Sequence, residues 1–337
     1  MTALFRMRDV VKHYRTARGM VHAVDGVSLD IAAGEVLGLV GESGCGKSSL
    51  ARLATRIAVP DSGTIEFDGA DITALGRSAL RPHRAKMQMI FQDPFASLNP
   101  RTTIGRIIEE PLIVHGRGAA TARRTRVAWL MAKVGLPSEA QSRLPHELSG
   151  GQRQRVGIAR ALALSPKLIV CDEPVSALDV SIRAQVLNLL DSLRAEFGIG
   201  YLFISHDLSV VEHIADRIAV MYLGKIVELA DRRTLWRKPL HPYTQAVIAA
   251  VPEPAAGHKR TPLPMHDVDP PSPLAPPSGC RFHTRCPYAQ DVCRLAEPPL
   301  KPVDGTGRFV ACHLVDTQGN SSIPAGLSVT ARSAPNC

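Results

Sequence analysis

Short runs of consecutive apolar residues punctuate the first 250 positions: Val36 to Val40, Leu168 to Cys171, Tyr201 to Ile204 and Ile218 to Tyr222. Each is bounded by turn-forming or acidic residues, the pattern of strands buried on both faces of a parallel sheet. Arg123 to Val134 and Ile182 to Glu196 carry apolar residues at helical spacing instead. Strands alternating with helices predict an α/β fold whose mostly parallel sheet is covered on both faces. The first 35 residues differ. Phe5 to Val11 and Val27 to Ile31 read as short, partly exposed strands, joined by Thr64 to Phe67 in a smaller antiparallel layer.

The pattern breaks at Val251. Nine prolines fall within residues 251–279, which excludes an ordinary helix or central strand and predicts an extended connector. Residues 280–313 then form a Cys-rich patch too small for a large apolar core, where a metal would supply what burial cannot. Residues 314–337 are small and polar and read as a frayed tail, with Cys337 a terminal thiol of no assigned role.

Composition changes this picture little. Of 337 residues, 45% are hydrophobic and 21% charged, as in a packed globular protein. The net charge of +9 points to an anionic neighbour, nucleic acid, lipid or phosphate. Aromatics at 4% leave few rings for stacking single-stranded nucleic acid. With no apolar run long enough to span a membrane and no signal-peptide pattern at Met1 to Asp9, a cytosolic chain is expected.

The chemistry starts where the first buried strand ends. Gly41-Glu42-Ser43-Gly44-Cys45-Gly46-Lys47-Ser48 follows that strand and precedes a helical stretch from Ser49 to Ile57, fitting GxxxxGK[ST] in pattern and context. Its glycines let backbone N–H groups curl around phosphate oxygens, Lys47 reaches the outer phosphates and Ser48 can hold Mg²⁺. Cys45 reads as a small residue that fits the loop. Asp172, at the end of a buried strand, can help hold Mg²⁺, and Glu173 beside it is placed to act as base for an attacking water. His206, just beyond Tyr201 to Ser205, can bond a γ-phosphate or position that water. Gln92 has a long amide side chain between strand and turn that can report on Mg²⁺ and water. Leu148-Ser149-Gly150-Gly151-Gln152 then opens a helical stretch from Arg153 to Leu164. This second phosphate-binding helix N-terminus, in a chain that already has one, implies a second protein.

Taken in order from Tyr14 to His206, these segments resemble the ATPases of ABC transporters. The resemblance implies a P-loop NTPase core of ABC type over residues 1–250, with antiparallel β and helical subdomains. It also implies a head-to-tail dimer with ATP and Mg²⁺ between the Gly41–Ser48 loop of one subunit and Ser149–Gln152 of the other. By the same likeness Tyr14 stacks on adenine, Gln92 senses the γ-phosphate and links to membrane subunits, Glu173 is the catalytic base, Ser176 to Asp179 form the D-loop and His206 is the switch histidine. Three further segments, Phe91 to Arg101, Pro239 to Thr244 and Gly279 to Tyr288, resemble the ATPase subunits of oligopeptide and dipeptide importers. That likeness implies a second homologous ATPase subunit in a heterodimer, two transmembrane permease subunits and an external or periplasmic solute-binding protein. The place of work would be the cytoplasmic face of the cell membrane, with no nucleic acid. Nickel, glutathione or another small solute is the alternative cargo, and a soluble ABC protein acting on nucleic acid or ribosomes the rival class. Met265 to Pro273 departs from the family's usual Gly-Glu pair before Pro-Ser-Pro, in the connector and away from any catalytic position.

Cys280, Cys286, Cys293 and Cys312 are separated by five, six and eighteen residues. Four thiolates can hold a tetrahedral zinc or an iron–sulfur cluster, and the spacing fits neither a zinc ribbon nor CxxCxxC. The resemblance to peptide-importer subunits favours [4Fe-4S], with Zn²⁺ the alternative.

Overall fold

A computed structural model describes residues 3–93, 95–251 and 269–323. Strands β1 (Ala3–Thr16) and β2 (Gly19–Ala32) form an antiparallel hairpin, and β4 (Ser62–Phe67) and β5 (Ala70–Asp71) extend it in the order β2-β1-β4-β5, with β3 (Val36–Val40) lying in the main sheet. Both hairpin strands outrun their apolar stretches. Their distal halves, down to the Thr16–Gly19 pair, are held by cross-strand backbone pairing that hydropathy does not report.

The main sheet adds β6 (Met87–Ile90), β7 (Leu168–Asp172), β8 (Gly200–Ser205), β9 (Arg217–Tyr222), β10 (Lys225–Asp231), β11 (Lys301–Val303) and β12 (Arg308–Val310), in the order β11-β12-β10-β9-β3-β8-β7-β6. Strands β6, β7, β8, β3 and β9 are parallel, as the apolar runs predict; β10, β12 and β11 add on antiparallel. Alternation along each parallel strand divides the core in two. Val36, Val40, Ile169, Cys171, Tyr201 and Phe203 face one cluster with the helices, whereas Leu37, Leu39, Leu168, Val170, Leu202 and Ile204 face the other, beneath the hairpin layer.

Helix α1 (Lys47–Ala54) starts two residues earlier than the sequence predicts. Gly46, at φ 110°, ends the loop in a conformation only glycine adopts readily, and a Cβ there would lie 1.9 Å from the Ala23 carbonyl oxygen. Helix α2 (Arg77–Lys86) leads into β6. A helical layer follows: α3 (Ile104–Val114), α4 (Ala120–Lys133) and α5 (Gly150–Leu162) pack on one another. Then come α6 (Val180–Phe197), α7 (Leu208–Ile214), α8 (Arg232–Arg237), α9 (Pro242–Ala249) and α10 (Asp291–Leu295). Among the described residues no helix is long and apolar enough to cross a membrane.

The C-terminal residues do not stand apart from the ATPase-like region. Strand β12 pairs with β10, and Phe282 is buried in an aromatic cluster with Tyr222 and Tyr243 at centroid distances of 5.3 and 5.5 Å. Buried Glu228 accepts from the backbone N–H groups of Leu240 and His241, both at 2.9 Å, and from Arg308 at 2.8 Å. Expectation and structure also part at the tail. Leu314, Val315 and Ile323 are buried and Val315 bridges Ser321, so 314–323 are packed rather than frayed. Three apolar residues scattered among polar ones leave no periodic signal, yet together they cover the Cys-rich segment. Residues 324–337, with Cys337, and most of the proline connector, 252–268, lie outside the described residues; its end is docked, the His22 N–H donating to the Pro273 carbonyl.

Candidate active site

Strand β3 ends at the Gly41–Ser48 loop, and β7 and β8 end beside it, so three parallel strands deliver their C-terminal residues to one place. Lys47 is buried and curls over the loop, its Nζ donating to the carbonyls of Gly41 (2.7 Å) and Glu42 (2.9 Å). Incoming phosphate oxygens can take over that ammonium. Ser48 lies in the first turn of α1, its hydroxyl donating to Asp172 Oδ1 at 3.1 Å. The structure thus brings together the two residues that the sequence reading names for Mg²⁺, a hydroxyl and a carboxylate at the end of a strand. Burial raises the Asp172 carboxyl above the usual carboxylate range and neighbouring Glu173 adds to this, while Ser48, Arg52 and Lys47 pull it back. A divalent cation would relieve that charge.

Glu173, Gln92 and His206 converge on one atom. Gln92 Nε2 donates to Glu173 Oε2 at 3.0 Å, and His206 Nδ1 lies 3.0 Å from the same oxygen. Each comes from the end of a different strand: Gln92 after β6, Glu173 after β7, His206 after β8. Glu173 itself sits at φ 48°, pinned by its N–H to the Ile204 carbonyl. A non-glycine residue held there is strained, which is common where a side chain must be aimed. The arrangement can hold a carboxylate ready to take a proton from water beside a phosphate.

Ser149 caps α5 by a reciprocal capping box: the Gln152 N–H donates to Ser149 Oγ (3.3 Å) and the Ser149 N–H to Gln152 Oε1 (3.0 Å). Its side-chain hydrogen bonds stay inside that box, and Gly150 is exposed beside it. The helix N-terminus can receive an anion from outside the chain. Asp179 caps α6 without a side-chain bond, followed by Val180 at 79% exposure, an apolar residue left open to solvent. Tyr14 is partly buried near the hairpin end, with Lys12 Nζ 5.5 Å from its ring centroid.

Four contacts, most of them made by two arginines, have no counterpart in the sequence reading. Arg285, between Cys280 and Cys286, donates from one nitrogen to both Glu42 carboxylate oxygens at 3.0 Å, and the Glu42 N–H donates to the Tyr243 hydroxyl at 2.9 Å. Arg281 binds the Leu223 carbonyl and Asp25. The Cys-rich loop is therefore wired to the phosphate loop across 243 positions of chain, where no local pattern could signal it.

The four cysteines Cys280, Cys286, Cys293 and Cys312 line a single small cavity with His241 and His313, and none is in a disulfide. No three of their sulfurs lie within 4.8 Å of one another.

The family profile for ABC transporters matches residues 24–176, and that for the oligopeptide/dipeptide transporter C-terminal region matches residues 227–293. The second begins within β10, so it spans the join that the aromatic cluster and Glu228 build. The chain is 53% identical to the "Probable peptide ABC transporter ATP-binding protein y4tS" of Sinorhizobium fredii, with 93% of this chain and 90% of the relative covered. It is 51% identical to the oligopeptide transport ATP-binding protein AppF of Bacillus subtilis, with 92% and 97% covered. Among solved structures, the ADP- and phosphate-bound dimer of the ATP-binding cassette MJ0796 aligns at TM-score 0.63 and 31% identity, over 68% of this chain and 98% of that one. CbiO1 of Clostridium perfringens aligns at TM-score 0.62 and 27% identity, over 70% and 91%. The complete phosphate loop, the acidic strand end, the exposed capping box and these relatives agree: the chain belongs to the ATP-binding proteins of ABC transporters, in the oligopeptide/dipeptide transporter family, and is an ATPase that works in transport.

Proposed function

We propose that the chain powers import of dipeptides or oligopeptides from the cytoplasmic face of the cell membrane. The observation that carries this reading is the union, in one packed body, of a complete hydrolytic constellation with the oligopeptide-type C-terminal segment. ATP lies between Gly41–Ser48 of this subunit and the Ser149–Gln152 segment of a second, homologous ATPase subunit, whose own signature helix completes the site here. Tyr14 stacks on adenine, Lys47 binds the outer phosphates, Ser48 and Asp172 hold Mg²⁺ with Gln92 reporting on it, and Glu173 takes a proton from the attacking water under the control of His206. Closure on ATP and reopening after hydrolysis drive two permease subunits, and an external solute-binding protein delivers the cargo.

The Cys-rich cavity takes a [4Fe-4S] cluster in this reading. Its donors are four sulfurs around one space, and a tetrahedral zinc at about 2.3 Å needs sulfurs about 3.8 Å apart. The wider spread favours the larger group. Burial pushes the Cys286 thiol up to about 11 and Cys312 up to about 12, so loading the site releases protons. The cluster's contribution is cross-linking of a small segment.

The test is ATP turnover of the complete complex in liposomes, with and without peptide-loaded binding protein. Peptide should raise turnover, and Glu173→Gln should lower it at least about 100-fold, the scale of losing a general base. Turnover indifferent to peptide refutes the coupling, and unchanged hydrolysis in Glu173→Gln refutes the base. Stimulation by nickel-loaded or glutathione-loaded binding protein alone reassigns the cargo.

A further inference from the structure

His13 and His22 stand directly opposite each other on β1 and β2, their rings 4.1 Å apart and tilted 47°. Asp25 lies three residues beyond His22, an odd separation that in a regular strand would put it on the opposite face. It does not lie there. The register passes from Lys12↔Val24 to His13↔His22, so Ala23 is an extra residue, and this bulge turns His22 and Asp25 to one side. Bulges of this kind re-aim side chains and cluster at functional sites.

The three side chains meet. His13 Nε2 is 3.4 Å from Asp25 Oδ1, and His22 Nδ1 is 3.5 Å from Asp25 Oδ2. The two ring nitrogens are buried and have no hydrogen-bond partner, although the histidine side chains keep 26% and 30% of their surface exposed. All three donor atoms lie within 4.8 Å of one another. Each nitrogen thus faces the Asp25 carboxylate at ion-pair distance without a hydrogen bond to it, and buried polar atoms left without a hydrogen bond call for an explanation.

We propose that His13, His22 and Asp25 form a binding site for a zinc-class divalent transition ion, separate from the Mg²⁺ and cysteine sites. Imidazole nitrogen binds zinc at about 2.0–2.1 Å, so neighbouring donors in a tetrahedron lie about 3.3 Å apart, close to the two histidine–carboxylate separations here, which run to different Asp25 oxygens. Two neutral imidazoles and one carboxylate are a borderline donor set, which excludes Ca²⁺ and Mg²⁺ as preferred occupants. The surroundings supply the outer support that such sites use: Arg281 holds the Asp25 carboxylate and Lys225 Nζ donates to the Asp25 carbonyl at 2.9 Å. The positive charges facing the site are matched, Lys225 by Glu297 at 2.7 Å and Arg281 by Asp25 itself. Three protein ligands and partial exposure leave a fourth position for water or an anion.

Calorimetric titration of Zn²⁺ into the full-length, anaerobically purified chain tests this, with Co²⁺ spectra to separate the site from the cysteines, because thiolate-bound cobalt absorbs strongly in the near ultraviolet and imidazole–carboxylate cobalt does not. The wild type should bind one equivalent without the thiolate signature. His13→Gln and His22→Gln should each weaken that equivalent by at least about 100-fold while leaving iron and sulfide content unchanged. Asp25→Asn should do the same but also loses the Arg281 pair, so the two histidine variants decide. An unaltered zinc isotherm in either of them, or a wild-type chain whose only bound Zn²⁺ or Co²⁺ is thiolate-ligated, overturns the assignment.

Discussion

Removing Arg285 should loosen the grip on nucleotide without touching the hydrolytic residues. Its side chain is 9% exposed and meets a Glu42 carboxylate that is 33% exposed, at 3.0 Å. In a medium of effective dielectric about 20, two unit charges at that distance attract by roughly 5–6 kcal/mol, an upper bound before desolvation and solvent screening. Both contacts use the same guanidinium nitrogen. They are one shared donor and not a two-pronged fork, which places the net value near the lower end for charge-assisted bonds, about 1.5 kcal/mol. If Glu42 holds the loop in its phosphate-binding shape, Arg285→Met should raise the KM for ATP roughly ten-fold, the equivalent of about 1.4 kcal/mol, and leave kcat within about two-fold. Arg285→Lys should recover part of the loss. The assay is a double-mutant cycle with Glu42→Gln, read by fluorescent-nucleotide binding, with iron content measured in every variant because Cys286 is adjacent. Additive single effects, coupled by less than about 0.5 kcal/mol, would refute the brace.

Two further outcomes follow from the packing. Phe282→Ala should cost about 3–5 kcal/mol, because a ring 1% exposed leaves a cavity between Tyr222 and Tyr243; a loss under about 1 kcal/mol in chemical denaturation would mean the C-terminal segment folds independently. His241 is fully buried, and burial pushes its pKa down to about 3 from 6.5. The unfolded chain takes up that proton first as pH falls, so stability is complete above about pH 6.5 and declines toward pH 3, by up to about 1.4 kcal/mol per unit. Urea unfolding at pH 7 and pH 5 should show that extra slope, and His241→Gln should remove it.

What the sequence made legible was whatever is encoded within a few residues. The phosphate loop needs glycine where φ is positive and the backbone passes close to Ala23, and the signature helix carries its cap and its Gln152 partner three positions apart. The strand-end residues were legible one at a time. Their convergence on Glu173 Oε2 depends on strands lying side by side in an order that sequence order does not give. The same limit hid Arg285 and Tyr243, which were visible as subfamily markers and not as partners of Glu42. The tail was misread for another reason: Leu314, Val315 and Ile323 are too sparse to mark a packed segment until Val303 and Val310 are placed beneath them.

Glu228 and Arg308 also set a timetable. They are 80 residues apart, and synthesis proceeds at about 5–20 residues per second. For roughly 4–16 s after β10 leaves the ribosome, its outer edge has no β12 to pair with and its carboxylate has no guanidinium. An open strand edge invites pairing with another chain. The nascent protein thus passes through an interval in which its ATP-binding half has been made but its sheet is still unsealed, and slowing translation between residues 231 and 308 should increase aggregation more than slowing it after residue 310.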